Sequence, residues 1–139
     1  MGGDGRTILV VDDDADVLAI CERLLVAAGY RVVCVASGDK AIERVAQELP
    51  ALVLLDLAMR DMSGLALVRT LRADPRWGKL PIVAISALGD TAAAGALAAG
   101  CSEFHAKPLG PRAILNMVGH FLGRANPDGA AIPSPQEER

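Results

Sequence analysis

The sequence predicts an α/β protein whose five-stranded parallel sheet is doubly wound, with helices packed on both faces. The first observation is that short, continuous apolar runs, typical of strands buried on both faces, alternate with segments whose apolar residues recur at helical spacing. The second is the composition, 52% hydrophobic but only 3% aromatic, which favours an aliphatic core between helices and a sheet. A chain of 139 residues can bury one such core.

The first unit is a strand over residues 8–11, which ends at Asp12 and is followed by a helix. Apolar residues recur at helical spacing over residues 17–28, and Gly29 stands where a left-handed C-cap ends a helix. A second apolar run follows over residues 31–35. A connection through a single helix predicts that the two strands are parallel, with a right-handed crossover between them.

The second helix and the third unit are marked by capping residues. Ser37 can cap the second helix, and Pro50 ends it. The third strand covers residues 51–55 and ends at Asp56, and after a loop Ser63 can cap the third helix. The strand and helix unit has then repeated three times.

The fourth unit follows a break at Asp74-Pro75. A strand over residues 81–85 is followed by an Ala- and Gly-rich segment, residues 91–99, whose periodicity is poor. We interpret this segment as a helix, although Gly95 in its interior costs about 1 kcal/mol relative to Ala.

The fifth unit is a short strand over residues 103–106 and a helix that begins with Pro111 at its first position. We expect one domain over residues 6–124. Residues 1–5 are predicted to be a flexible N-terminus, and residues 125–139, with three prolines and no periodic apolar face, a disordered tail.

The composition also argues against several classes of protein. A formal charge of −3 offers no basic stripe for nucleic acid, and no apolar stretch approaches the roughly 20 residues that a membrane-spanning helix requires. The N-terminus has no secretory signal, and three widely spaced cysteines indicate reduced packing residues. We therefore expect a cytoplasmic protein that contacts neither nucleic acid nor a membrane.

Five polar residues follow the predicted strands at their carboxyl ends. In a doubly wound fold these ends meet at one edge of the sheet, where ligands bind. We expect the side chains to converge there: Asp12 and Asp13 after the first strand, Asp56 after the third, Ser86 at the fourth and Lys107 after the fifth.

This set of side chains predicts phosphoryl chemistry. Neighbouring carboxylates repel one another unless a cation lies among them, and hard oxygen ligands in an open pocket favour Mg²⁺. Lys107 and Ser86 can contact phosphate oxygens, and Asp56 is then the nucleophile. The product would be an aspartyl phosphate.

Five short motifs, in order and at suitable intervals, resemble the CheY-like receiver domain of two-component response regulators. The resemblance covers roughly residues 6–124. The motifs are "ILVVDDD" at 8–14, "VLLDLAM" at 53–59, "MSG" at 62–64, "ISA" at 85–87 and "KP" at 107–108.

The resemblance implies a flavodoxin-like (βα)5 fold with strand order 2-1-3-4-5. It also implies that Asp56 accepts a phosphoryl group from a phosphohistidine on a histidine kinase or a histidine phosphotransfer protein. Mg²⁺ would be held by Asp12, Asp13 and Asp56 together with the backbone carbonyl of Ala58, and Asp13 matches the more direct ligand.

The remaining implied roles concern the phosphate and the switch. Ser86 and Lys107 would contact the phosphate, and Phe104 matches the aromatic residue that turns inward as Ser86 moves. The Lys107-Pro108 peptide bond would be cis, as a tight turn there permits. Among the departures from the family pattern, Arg60 stands where a proline is usual, and this leaves the behaviour of the loop after Asp56 open.

The sequence thus predicts a stand-alone response regulator, a phosphoacceptor rather than an enzyme. Its output would be binding, through the face formed by the fourth helix, fifth strand and fifth helix, to a downstream protein or a second copy. One alternative is a Mg²⁺-dependent phosphohydrolase with a DxD motif at Asp12 and Asp14. Another is a receiver-like scaffold that does not use phosphate. Asp14 and Asp16 are otherwise explained as acids in the first turn of the first helix.

Overall fold

A computed structural model describes residues 6–60, 62–89 and 91–123, in which five parallel strands form one sheet in the order β2-β1-β3-β4-β5. The strands are Thr7–Val11 (β1), Arg31–Val35 (β2), Leu52–Leu55 (β3), Ile82–Ser86 (β4) and Glu103–Ala106 (β5). The helices are Ala15–Ala27 (α1), Gly38–Gln47 (α2), Gly64–Ala73 (α3), Thr91–Ala99 (α4) and Pro111–Leu122 (α5). The predicted fold class and strand order are confirmed, while the predictions for residues 1–5 and 125–139 lie outside the described residues.

Two aliphatic cores lie on the two faces of the sheet, because side chains alternate along each strand. Leu9 and Val11 of β1 belong to the core under α2, α3 and α4. Ile8 and Val10 of the same strand belong to the core under α1 and α5. Strands buried on both faces explain the unbroken apolar runs of the sequence.

The residues that were predicted to cap helices do so in the structure. The Ser37 and Ser63 hydroxyl oxygens each accept a hydrogen bond from a backbone N–H in the first turn of α2 and α3. Gly29, with φ of 99°, follows α1, and the Tyr30 N–H donates to the Leu25 carbonyl (3.1 Å). This is a Schellman end, which requires the left-handed backbone that glycine adopts at low cost.

The segment between α3 and β4 is more ordered than the sequence indicated. Where only a break was predicted, Pro75–Trp77 forms a 3₁₀ turn that Asp74 caps. Trp77 is buried, and the Arg76 guanidinium lies 4.8 Å from the centre of its ring. The turn therefore closes one end of the core.

Arg72 of α3 joins three segments through backbone carbonyls. Its guanidinium donates to the carbonyls of Gly100 (2.9 Å), Trp77 (2.9 Å) and Gly78 (3.3 Å). Gly100 has φ of 120°, and a Cβ there would lie 2.7 Å from the Arg72 Cγ. The C-terminal end of α4 is thereby fixed to α3, an arrangement that no periodic pattern predicts.

The three cysteines are free thiols, as predicted. The Cys34 thiol donates to the Leu18 carbonyl (3.7 Å). Burial raises the pKa of Cys34 and of Cys101 to about 11, which disfavours the reactive thiolate. Among the described residues, no helix is long and apolar enough to span a bilayer.

Gly95 gives a direct test of helix α4. A Cβ at this position would meet its nearest atom, the Leu65 Cδ1, at 3.9 Å, an ordinary contact. Gly95→Ala should therefore raise the free energy of unfolding by about 0.5–1 kcal/mol, because alanine restricts the unfolded chain. Urea denaturation measures the change.

Gly89→Ala is the matched control for this substitution. Gly89 also has open space, but its φ is 83°, so alanine should destabilise the protein by about 1 kcal/mol through the backbone alone. A loss of stability in Gly95→Ala would contradict the helical assignment.

Candidate functional site

The register of β1 and β3 places two carboxylates side by side. Val11 pairs with Leu55, and the Asp56 N–H donates to the Val11 carbonyl (3.0 Å). Asp12 and Asp56 are the next residues of the two strands, and alternation directs both side chains to the face covered by α1 and α5. Asp12 is 4% exposed and Asp56 9%, so both acids are buried at the carboxyl edge of the sheet.

The Lys107 ammonium joins these two carboxylates. Lys107 follows β5, and its N–H donates to the Ser86 carbonyl (2.9 Å). Its Nζ lies 3.1 Å from the Asp12 Oδ2 and 3.5 Å from the Asp56 Oδ2. Partial burial lowers the pKa of Lys107, but the hydrogen bond to Asp12 and the charges of Asp12 and Asp56 outweigh it, so the pKa lies above its ordinary value. Lys107 is held as a cation.

The other oxygen of each carboxylate accepts a backbone hydrogen bond. The Asp12 Oδ1 accepts from the Asp14 N–H (2.9 Å), and the Asp56 Oδ1 accepts from the Ala58 N–H (3.1 Å). The Asp14 side chain caps α1 by accepting from the Asp16 N–H (2.9 Å). Asp14 thus has the helix-terminal role that the sequence offered as its structural explanation, and Asp16 lies in the first turn of α1.

Asp13 has a different partner from its neighbour. Its Oδ2 accepts from the Arg60 backbone N–H (3.0 Å) and from the Arg60 Nε (3.3 Å). The backbone hydrogen bond is the main reason that the pKa of Asp13 lies below its ordinary value; desolvation opposes it, and the hydrogen bond and charge of the guanidinium act in the same direction. The loop after β3 is thus tied to the end of β1.

The predicted metal ligands do not form an assembled metal centre. Within the part of the chain that the structure describes, no group of three or more His, Cys, Asp or Glu side chains is arranged to hold a metal ion. Lys107 engages Asp12 and Asp56, and Arg60 engages Asp13. Asp12 and Asp56 thus share Lys107 while Asp13 pairs with Arg60, and the Mg²⁺ ligand set of Asp12, Asp13 and Asp56 stays a prediction.

The donor set nevertheless suits Mg²⁺ in kind. Carboxylate oxygens are the hard ligands that this ion takes, and Asp12 and Asp56 already share the charge of one cation within 3.5 Å. Asp13 is held by an Arg60 side chain that is 88% exposed, which can turn into water. Ala58 as a carbonyl ligand stays a prediction.

Ser86 and Phe104, the residues predicted to contact the phosphate and to switch, have partners in the strand ends and the core. Ser86, at the end of β4, is fully buried, and its Oγ accepts from the Leu88 N–H (3.1 Å). Phe104 of β5 pairs with Ala84 and packs, partly buried, against the core under α2, α3 and α4. Their roles in phosphate contact and switching stay predictions. The Lys107-Pro108 peptide bond is cis, as the resemblance implied.

A cavity of about 360 Å³ opens beside the carboxylate pair. It lies between α1, α5 and the sheet. Its polar wall consists of Asp12, Asp56 and Lys107, and its other residues are mostly apolar, including Ile20 of α1 and Ile114 of α5. No sequence pattern predicts this cavity, because the cavity depends on how two helices pack on the sheet.

Comparison with known proteins gives one family and a consistent set of relatives. Residues 8–119 match the family model of the response regulator receiver domain. The chain is 32% identical over 126 residues to the transcriptional regulatory protein GltR of Pseudomonas aeruginosa, covering 90% of this chain and 52% of that protein. It is 34% identical over 130 residues to the DNA-binding response regulator MtrA of Mycolicibacterium paratuberculosis, covering 93% and 56%.

A solved structure agrees with the sequence matches. A protein described as a response regulator, from Chloroflexus aurantiacus, superposes with a TM-score of 0.81 at 33% identity, covering 87% of this chain and all of that one. By contrast, the chain spans only about half the length of the curated relatives it matches.

Gly64 tests how closely α3 must approach the end of β3. A Cβ on Gly64 would lie 2.5 Å from the Leu57 Cα and 2.8 Å from the Asp56 carbonyl oxygen, and neither backbone atom can move alone. Gly64→Ala should lower the free energy of unfolding by about 1–3 kcal/mol, measured by urea denaturation. Gly78→Ala, whose nearest contact would be 3.7 Å, is the control; equal effects of the two substitutions would contradict the close approach.

Proposed function

The chain belongs to the response regulator receiver family, and on that premise we propose that Asp56 accepts a phosphoryl group from a phosphohistidine of a histidine kinase or a histidine phosphotransfer protein. The observation that carries the proposal is the position of Asp56. It is a buried carboxylate at a strand end, where it accepts a hydrogen bond from the Ala58 N–H and lies 3.5 Å from the Lys107 ammonium. Such a group can act as a nucleophile toward phosphorus.

The transfer exchanges one bond to phosphorus for another. A carboxylate oxygen of Asp56 forms the new P–O bond, the P–N bond to the donor imidazole breaks, and the imidazole leaves with the electron pair. Lys107 stays protonated and offsets negative charge on the transferred oxygens. The Ala58 N–H holds the carboxylate in place throughout.

Receiver domains generally bind Mg²⁺ at their acidic pocket. In this chain Asp12, Asp13 and Asp56, with the Ala58 carbonyl, would hold the ion. When bound, it neutralises charge on the phosphoryl oxygens. Asp12 positions the Lys107 ammonium, and Asp13 must first exchange its Arg60 partner.

The signal would pass from Asp56 to a binding surface. We propose that Ser86 moves toward the phosphoryl group and gives up its bond to the Leu88 N–H, and that Phe104 turns inward with it. The surface formed by α4, β5 and α5 would then bind a downstream protein or a second copy. Leu97 of α4, 51% exposed, belongs to this surface.

Receiver domains interact with histidine kinases, and the kinase is the proposed donor here. Because the chain spans about half the length of its curated relatives, the stand-alone regulator stays a prediction. So does the absence of nucleic-acid contact, since one relative is by name a DNA-binding response regulator. The cytoplasmic location and the role as a phosphoacceptor rather than an enzyme are part of the same proposal.

The phosphohydrolase alternative is less favoured by the geometry. A DxD mechanism needs the side chain of Asp14, but that carboxylate is used as the N-cap of α1. The scaffold alternative does not require the buried pair of acids around Lys107. Phosphorylation with a small phosphodonor distinguishes both alternatives from the proposal.

Incubation with acetyl phosphate and Mg²⁺ should add one phosphoryl unit, roughly 80 Da by mass spectrometry. The adduct should map to Asp56, be labile to base, and fall sharply when the metal is removed by a chelator. Asp56→Asn should abolish it, while Asp16→Asn, in the first turn of α1, should not.

Three results would overturn the proposal. An adduct that persists in Asp56→Asn would place the acceptor elsewhere. Turnover of a phosphate ester by that variant would favour the phosphohydrolase, and no adduct on the wild-type chain would favour the scaffold.

A further inference from the structure

We propose that the Arg60 guanidinium competes with Mg²⁺ for the Asp13 carboxylate and thereby lowers the affinity with which the ion binds at the acidic pocket. The inference rests on the proposed function, because it concerns the same pocket. It assigns a positioning role to a residue that acts through Asp13.

The inference rests on the contact between Arg60 and a single carboxylate oxygen of Asp13. The Arg60 N–H and its Nε both donate to the Asp13 Oδ2, at 3.0 and 3.3 Å. The Asp13 side chain is 21% exposed, whereas that of Arg60 is 88% exposed. The guanidinium thus reaches the acid from the solvent side.

The charges of the site show what Mg²⁺ must displace. Lys107 offsets Asp12 and Asp56, and Arg60 offsets Asp13. When Asp13 becomes a metal ligand, its Oδ2 loses the two hydrogen bonds from Arg60, and the ion pair between Asp13 and Arg60 is broken. The exposed guanidinium can return to water at small cost, so the competition is modest rather than prohibitive.

The competitor is a property of this chain's sequence. A proline, usual at this position in the family that the motifs resemble, has neither a backbone N–H nor a charge. The backbone hydrogen bond to Asp13 therefore needs only a residue other than proline at this position, whereas the Nε hydrogen bond and the positive charge need the arginine side chain. The loop is also closed onto β1 by them before any ion binds.

Direct Mg²⁺ titration by calorimetry, with no phosphodonor, tests the inference. Arg60→Ala should bind Mg²⁺ about two- to five-fold more tightly than the wild-type chain, the range of an exposed ion pair. Arg60→Lys should lie near the wild-type chain. The control is Arg31→Ala, which removes an equal charge and an exposed pair with Glu48 at the opposite edge of the sheet, and should leave the affinity unchanged.

The Arg60 Nε–H resonance supplies a readout that a purely structural role would not move. It should shift as Mg²⁺ is added to the wild-type chain, with the same midpoint as the calorimetric titration. Equal or weaker binding by Arg60→Ala, or an Nε–H resonance that does not respond, would overturn the inference and leave the proposed function standing. No Mg²⁺ binding by any variant would overturn both.

Discussion

The Lys107 ammonium between Asp12 and Asp56 is the contact on which the rest of the site depends. Two buried carboxylates at the ends of neighbouring strands repel each other, and one shared cation offsets both charges. The parallel register of β1 and β3 brings the acids together, and the end of β5 brings the lysine across β3 and β4. The fold is therefore the means by which distant segments form one charged pocket.

The sequence could predict this pair because regular periodicity determines it. Apolar runs that end in an acid define where each strand stops, and the carboxyl ends of parallel strands share an edge. The capping of α2 by Ser37 and of α3 by Ser63 could likewise be predicted, because serine is a preferred N-cap residue. The strand order, in contrast, came from the family resemblance rather than from periodicity.

What the sequence could not predict depends on individual side-chain contacts. Asp13 lies beyond the end of β1, where strand periodicity no longer determines its partner, and there Arg60 contacts it. The contacts of Arg72 with the end of α4 are also irregular, since one guanidinium spans carbonyls that are far apart in sequence. These contacts join the loop after β3 to the end of β1 and the end of α4 to α3.

The most direct test of the central claim is the pKa of Lys107, measured by NMR titration of its side chain in the wild-type chain and in Asp12→Asn. A lysine held by two carboxylates titrates above its ordinary value of 10.5, and the stabilisation it gives is lost as pH rises through that raised pKa. We predict a raised pKa in the wild-type chain that falls in Asp12→Asn. A wild-type pKa at or below the ordinary value, unchanged by the substitution, would contradict the account.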